Sequence, residues 1–194
     1  MRILYFLIVL APFLGISQLK KEYYDNQQTQ LKSETDYYKG MPHGPHYEYY
    51  KNGKLSRKGY YYRGKEDSIW VFYFEDGSVK AKEHFYRGKK AGINTYYYKS
   101  GKVAQITKFK LVVKSNIAFD LADSVWTSYH ENGKVKSTES FVDGKKEGEW
   151  IYYHDNGQIE SKGKFEKDKK EGDVNTFYRS GKPAATEHYC EGKP

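Results

Sequence analysis

The sequence predicts an all-β fold, an elongated open antiparallel sheet built from tandem 24-residue β-hairpin repeats. Two observations favour this fold. The 194-residue chain contains 21 tyrosines and 18 glycines, a mixture rich in strand-forming and turn-forming residues. The glycines also recur at a fixed period, and the segments between them alternate between apolar and polar side chains.

Three interlocked series of turn residues carry the period. The first series has spacings of 24, 24, 32, 24 and 24 residues and consists of Gly53, Gly77, Gly101, Gly133, Gly157 and Gly181. The second consists of Gly40, Gly64, Gly88, Val112, Gly144, Asp168 and Gly192. The third consists of Gly44, Ser68, Gly92, Ser124, Gly148 and Gly172. All three slip together by eight residues, which indicates stacked units interrupted by one insertion within residues 113–123.

Each unit is predicted to be one hairpin. In the clearest unit, a strand at Glu149–His154 is followed by the turn dipeptide Asn156-Gly157 and a returning strand at Gln158–Phe165. Returning strands alternate between an apolar face, which holds Leu55, Val79, Val103, Val135 and Ile159, and a lysine-rich face. We expect equivalent residues of successive hairpins to form ladders along the sheet.

The chain is predicted to divide into a signal peptide at residues 1–17, a leader at 18–29 and about six units at 30–194. Arg2 precedes an uncharged apolar stretch from Ile3 to Ile16, shorter than the roughly 20 residues that span a bilayer. Cleavage near Ser17 is therefore expected, with an uncleaved anchor as the alternative. The expected location is the periplasm, the cell surface or the extracellular space.

The segment Phe141–Gly157, F-x-x-G-K-K-E-G-x-W-x-Y-Y-x-x-N-G, resembles the MORN-repeat variant of bacterial proteins, many of which are labelled YwqK-like antitoxins. The resemblance covers roughly 31–193. It implies an open, meandering antiparallel sheet with binding roles, and it brings the antitoxin label, which means neutralisation of a toxin. Departures from the motif are Ser68 and Ser124 in place of glycine, and Asn94 and Val174 in place of tryptophan.

The histidines and acidic residues that could serve in catalysis or bind a metal occupy positions set by the repeat. His130 and His154 occupy the same position of consecutive units, which places them about 10 Å apart, too far for shared zinc ligation at about 2 Å from each nitrogen. Acidic pairs such as Glu147 with Glu149 lie in loops typical of the unit. No cofactor, no metal site and no enzymatic activity are therefore expected.

A binding role is predicted instead, on three sets of residues. A row of basic residues follows the second turn series: Lys65, Lys89, Lys90, Lys145, Lys146, Lys169 and Lys170. A tyrosine ladder offers rigid amphipathic contact area: Tyr73, Tyr97, Tyr129 and Tyr153. In the insertion, Ile117 and Phe119 lie in an alternating apolar stretch that could be an extra strand or a lid, either packed on the array or contacting a partner.

Two functions remain open from the sequence. The first is an exported protein-binding scaffold, antitoxin- or immunity-like, with a toxin or an envelope component as its partner. The alternative is a peripheral module that binds anionic lipid headgroups or acidic glycans through the lysines, which suits the net charge of +8. Nucleic acid is a less favoured partner because the chain is expected to be exported.

Overall fold

The computed structural model describes residues 17–114 and 117–194, with side chains omitted at 114, 117 and 118. Every regular element in these ranges is a β-strand, and all strands belong to one sheet. The predicted all-β, open antiparallel architecture is therefore confirmed. The predicted signal peptide lies outside the described residues except for Ser17.

Seven hairpins succeed one another along the sheet. Their first strands are β1 (Gln18–Tyr23), β3 (Met41–Tyr49), β5 (Lys65–Tyr73), β8 (Gly92–Tyr97), β11 (Ser124–Tyr129), β13 (Lys145–Tyr153) and β15 (Lys169–Phe177). Their second strands are β2 (Leu31–Tyr38), β4 (Leu55–Tyr62), β6 (Val79–Tyr86), β9 (Val103–Lys114), β12 (Val135–Val142), β14 (Ile159–Glu166) and β16 (Pro183–Tyr189). Two shorter strands, β7 (Lys89–Lys90) and β10 (Ile117–Ala122), pair with β6 and β9. Neighbours in the sheet follow chain order throughout, so the fold is a meander.

The segment predicted to be a leader, residues 18–29, contains the first strand and most of the loop of the first hairpin. β1 pairs antiparallel with β2, and the Tyr24 hydroxyl donates to the Tyr49 carbonyl at 2.8 Å. The Tyr50 hydroxyl makes the equivalent bond to the Tyr73 carbonyl at 2.7 Å, and the two acceptors, Tyr49 and Tyr73, are 24 residues apart. The loop from Tyr24 to Gln30 is two residues longer than the loop from Tyr50 to Lys54, and this difference hides the first hairpin from a search at the 24-residue period.

Two kinds of turn alternate at the two ends of the strands. At the hairpin-turn edge, the glycine amide donates to the carbonyl three residues earlier, as Gly77 does to Phe74 at 2.9 Å. At the connecting-turn edge, both central residues have positive φ, +50° for Arg63 and +77° for Gly64, as a type I′ turn requires. The Gly64 amide also donates to the Pro42 carbonyl of the preceding unit at 2.7 Å. Turn hydrogen bonds therefore fasten each unit to the preceding one.

A second ladder of hydrogen bonds runs along the hairpin-turn edge. Asn132 and Asn156 each donate to a carbonyl 23 residues later, at 2.7 and 2.8 Å. His130 and His154 lie in the same ladder, with Nε2 at 2.7 Å from the Tyr153 carbonyl and 3.1 Å from the Phe177 carbonyl. These two imidazoles thus link consecutive units of the sheet.

The largest buried side chains of the core form one row on one face, here called the inner face. This row repeats one position per unit and comprises His46, Trp70, Asn94, Trp126, Trp150 and Val174; all but Trp126 are buried. The Trp70 indole lies flat over Gly59, where a Cβ atom would come within 2.2 Å of the ring. Gly163 lies between two members of the row: an added Cβ would be 3.0 Å from Trp150 on the preceding strand and 3.0 Å from Val174 on the following strand. The opposite side of the sheet is the outer face.

The insertion is an extension of one hairpin. β9 continues past the place of the expected connecting turn, and the chain returns as β10, which pairs with it from Ala122 opposite Phe109 to Ile117 opposite Lys114. β9 has 12 residues where β4, β6, β12 and β14 have eight. The extra-strand interpretation is therefore the one that the structure shows, and the hairpin projects roughly 13 Å beyond its neighbours at about 3.3 Å per residue.

Replacing Ser68 by glycine should stabilise the protein by about 0.5–1 kcal/mol. Ser68 has φ +63°, whereas the equivalent position is glycine with φ +88° at Gly148 and +74° at Gly172. An exposed serine with one hydroxyl bond to Asp67 at 3.2 Å loses little on truncation. Thermal and denaturant unfolding would measure the gain. Ser161→Gly, in a strand without positive φ, should lower stability; a gain in both variants would exclude backbone strain as the cause.

Candidate binding surfaces

The predicted row of basic residues is divided between two faces, because successive residues of a strand point to opposite sides. Lys90, Lys146 and Lys170 are half-buried on the inner face, whereas Lys65, Lys145 and Lys169 are exposed. Two of the lysines that are not on the inner face form ion pairs: Lys89 with Asp120 at 3.6 Å and Lys169 with Glu191 at 3.8 Å. The expectation of one continuous basic row is therefore wrong in its geometry.

Two of the inner-face lysines, Lys90 and Lys146, are paired with glutamates of the same sheet, whereas Lys170 lies over the Trp150 and Tyr189 rings. Lys90 Nζ lies 2.8 Å from Oε1 of Glu83, and the Tyr96 hydroxyl donates to the same oxygen at 2.7 Å. Burial opposes the charge of Lys90, but the bonds with Glu83 and Tyr96 outweigh it and raise the lysine pKa. The same lysine–glutamate–tyrosine arrangement recurs in a later unit. There Lys146 lies 2.6 Å from Glu139, which also accepts a hydrogen bond from the Tyr152 hydroxyl at 2.9 Å. Burial and that bond raise the pKa of Tyr152 to about 12.

The predicted tyrosine ladder exists, but its rings are half-buried. Tyr73, Tyr97, Tyr129 and Tyr153 take the same place in successive units. The backbone carbonyls of Tyr73, Tyr129 and Tyr153 each bond to a side chain of the preceding unit, as Tyr129 does with the Tyr98 hydroxyl at 2.6 Å. These tyrosines hold the repeats together, and a partner would contact only part of each ring.

A different set of tyrosines lies at the connecting-turn edge, where two of the three are exposed and Tyr62 is half-buried. Tyr38, Tyr62 and Tyr86 each precede a basic residue and a glycine at intervals of 24 residues. Tyr38 is 37% and Tyr86 42% exposed. Together with Lys39, Arg63 and Arg87 these residues form what we call the basic–aromatic stripe. Its signal in the sequence is the thrice-repeated Tyr-Lys/Arg-Gly, which is not recognised when lysines alone are followed.

Cations and rings are in contact along the stripe. The Arg63 guanidinium lies 5.4 Å from the Tyr62 ring centroid, and the Arg87 guanidinium lies 6.0 Å from the same centroid. Arg87 also lies 5.2 Å from the Tyr86 centroid. Such contacts favour defined orientations of the guanidinium groups while leaving their edges open to an anion.

The outer face carries an exposed apolar row at one position of three consecutive units. Ile69, Ile93 and Val125 are 50%, 56% and 52% exposed, and the same position holds Glu149 and Asp173 in the later units. Beyond the row, the projecting hairpin exposes Val113 at 64% and Phe119 at 43%. The side chain of Ile117, predicted alongside Phe119, lies outside the described part of the structure.

A polar groove of about 220 Å³ opens on the inner face near the first hairpin and includes Glu22, Thr35, His46 and Glu48. Thr35 Oγ1 lies 2.7 Å from His46 Nδ1, and His46 Nε2 lies 3.8 Å from Oε2 of Glu48. Hydroxyl, imidazole and carboxylate follow the order used by nucleophilic hydrolases. However, Thr35 is only 8% exposed and the imidazole–carboxylate separation exceeds a hydrogen bond. This geometry favours a packing role for His46.

Four segments of the chain match the sequence profile of the MORN repeat variant: residues 42–61, 90–111, 122–143 and 146–167. These four segments are MORN repeats of the variant type. The intervening hairpin β5–β6 and the last hairpin β15–β16 fold in the same way, although they lie outside the matched ranges. No curated protein matches the chain. The match identifies the MORN repeats and leaves the antitoxin label as a proposal.

The side chains and the secondary structure of the repeat array bear on metal binding and on membrane crossing. Within residues 17–114 and 117–194, no group of three histidine, cysteine or acidic side chains could hold a metal ion. The same ranges contain no helix long and apolar enough to cross a membrane. Cys190 is an exposed free thiol in the last connecting turn.

His46 should make the MORN array less stable in acid. Burial, followed by the nearby charge of Arg57, lowers the pKa of His46 below its usual value. A lowered folded-state pKa gives stability that is present above the unfolded pKa of about 6.5 and lost as the pH falls through the folded value. The midpoint of urea unfolding should therefore drop as the pH falls below about 6.5, and His46→Phe should flatten that drop. An equal slope in both proteins would contradict this assignment.

Proposed function

We propose that this MORN-repeat chain is a non-catalytic, exported scaffold that binds a protein partner through its outer face. The exposed row of Ile69, Ile93 and Val125 is the observation that carries the proposal. The row repeats one exposed β-branched side chain in three successive units and ends where Glu149 and Asp173 begin; His84 and Lys108 lie on the strands between its members. Phe119 of the projecting hairpin pairs with Val112, lies on the same outer face and would extend the contact.

The array is suited to this role because it is rigid along its length. Each unit is attached to the next by strand pairing, by turn amides and by side-chain ladders. Rigid repeat surfaces recognise a partner without paying a large ordering entropy. Antitoxin-like neutralisation is the narrower form of the proposal, in which the partner is a toxin whose active surface the sheet covers.

Site-specific photocrosslinking tests the scaffold. A photoreactive residue placed at Ile93 of the full chain, in its own host, should capture a discrete partner, and the same residue placed at Asp173 should not. Ile69→Asp with Val125→Asp should abolish the capture at Ile93, whereas raised salt should not. Equal capture from both positions, or capture that survives the double substitution, would refute the proposal. Loss of toxicity when a captured toxin is mixed with the chain would support the antitoxin form.

Export is the second part of the proposal. β1 begins at Gln18, directly after the predicted cleavage point, so removal of residues 1–17 would leave every described strand intact. Mass spectrometry of the protein from the host envelope should give a mature chain that begins near Gln18. A chain that retains Met1–Ile16 in the envelope would support the anchor, and a full-length chain in the cytoplasm would overturn export.

Binding of an anionic ligand is a second candidate function, and the basic–aromatic stripe favours it. The stripe lies at the connecting-turn edge, away from the hairpin-turn edge, and it is confined to the first three connecting turns. The corresponding positions in later turns hold Val142 with Asp143 and Glu166 with Lys167. A row of charges that served only solubility would not need a tyrosine beside each cation. It would also have no reason to end after three units.

A further inference from the structure

The basic–aromatic stripe contains two shallow depressions that share a wall. One, of about 300 Å³, includes Tyr38, Lys39, His43, Tyr62 and Arg63 in its lining. The other, of about 180 Å³, is lined by Tyr62, Arg63, Lys65 and Arg87. Tyr62 and Arg63 belong to both, so the two depressions are consecutive positions along one path.

The cations of this path are available. In the part of the chain that the structure describes, Lys39, Arg63, Lys65 and Arg87 make no ion pair. No carboxylate lines either depression. This contrasts with the inner face, where Lys90 and Lys146 are bound to glutamates. The Asp67 carboxylate lies beside the path and accepts from the Arg87 amide at 3.1 Å, so the path keeps an excess of positive charge that an anion could approach.

The tyrosines of the path are spaced evenly. Tyr38, Tyr62 and Tyr86 hold the same place in units two strands apart, which gives a spacing of about 10 Å. His43 adds a ring 5.3 Å from the Tyr62 centroid and 5.8 Å from the Tyr38 centroid. The path therefore offers flat apolar surfaces at regular intervals, with a cation beside each one.

We propose that this path binds a linear acidic polysaccharide, with every second sugar ring resting against Tyr38, Tyr62 and Tyr86 and the acid groups of those rings bound by Lys39, Arg63 and Arg87. A pyranose presents a flat C–H face that packs on an aromatic ring, and a planar carboxylate accepts two parallel bonds from a guanidinium. A polymer that repeats at regular intervals suits a row of sites that repeats at regular intervals.

Other anions fit the path less well. A bilayer would require exposed aliphatic side chains to enter the lipid, and Met41, 47% exposed, is the one long aliphatic residue lining the depressions. Single-stranded nucleic acid could also stack on tyrosines, but a chain proposed to be exported would seldom meet it, and oligothymidylate is therefore included as a competing ligand in the test. The inference rests on the second candidate function, anion binding, and is independent of the outer apolar row.

Calorimetric titration of the full chain with hexagalacturonate tests the inference, with maltohexaose as the neutral hexasaccharide. Hexagalacturonate should bind and maltohexaose should not. Arg63→Gln with Arg87→Gln should weaken binding by about tenfold or more, because two charge-assisted contacts are lost. Tyr62→Leu should weaken it as well. The matched control, Lys167→Gln with Lys169→Gln, removes two charges from the corresponding later turn and should leave the affinity within about twofold of the parent protein.

Three results would overturn the inference. The first is equal binding of the charged and neutral hexasaccharides, or no binding of either. The second is equal weakening by the stripe variant and the control variant, which would indicate net charge alone. The third is tighter binding of oligothymidylate or phosphatidylglycerol vesicles through the same arginines, which would keep anion binding but assign another ligand. Photocrosslinking at Ile93 is unaffected by the stripe substitutions, so failure here is distinguishable from failure of the protein-binding proposal.

Discussion

Replacing Trp70 by alanine is expected to lower the free energy of unfolding by about 3–5 kcal/mol. The Trp70 side chain is fully buried, and its ring contacts His46, Tyr61 and Phe85 at centroid distances of 5.5, 5.0 and 6.4 Å. Its indole N–H also donates to the Tyr60 carbonyl at 3.3 Å. The substitution therefore removes contacts to the preceding unit and to the following strand at once, and urea unfolding measures the loss.

Trp126 provides the matched control, because it holds the same position of the repeat but is only half-buried. Its ring contacts Phe109 and Phe141 at 5.2 and 4.5 Å, and its N–H donates to the Lys108 carbonyl at 3.1 Å. Trp126→Ala should cost less than Trp70→Ala. If the two losses are equal, or if Trp126→Ala costs more, burial in the inner-face row does not determine the contribution of these tryptophans.

Replacing Gly59 by alanine should destabilise the protein by about 3 kcal/mol, more than a single methyl group usually does. The added Cβ would lie 2.2 Å from Cδ2 and 2.6 Å from Cγ of Trp70, so the indole would have to leave its position. Gly59 does not have positive φ, which means that the loss would arise from overlap alone. Denaturant unfolding gives the size of the effect.

Gly40→Ala separates overlap from backbone strain. Gly40 has φ +79° and no atom within 4 Å of an added Cβ, so this variant should lose only about 1 kcal/mol. In addition, Trp70→Leu should reduce the further cost of Gly59→Ala, because the smaller side chain leaves room for the methyl group. A Gly59→Ala loss no larger than that of Gly40→Ala, or fully additive losses in the double variant, would contradict the overlap.

The repeat architecture could be predicted because each unit gives the same local signals. Asn156-Gly157 marks a hairpin turn, and alternation along Gln158–Phe165 marks the returning strand. The three series also slip together between Val112 and Ser124, a segment that contains the end of β9 and the whole of β10. Nearest-neighbour stacking then leaves few possible topologies.

Three features could not be predicted from the period. The first hairpin has a longer loop, so Tyr24 and Tyr50 are 26 residues apart and fall outside the search. Lys89 and Lys90 are adjacent in the sequence, yet only the register of the strand decides that Lys90 faces Glu83. The need for glycine at Gly59 depends on where the Trp70 ring lies in three dimensions.

The uninterrupted chain order of the strands has a mechanical consequence. Each strand bonds only to its predecessor and its successor, apart from the short β7 and β10. Tension applied between Gln18 and Tyr189 would therefore act on the outermost strands first and separate the strands from the sheet one after another. The extension trace should show a series of small steps at modest force, because no long-range crossover links distant units to bear the load together.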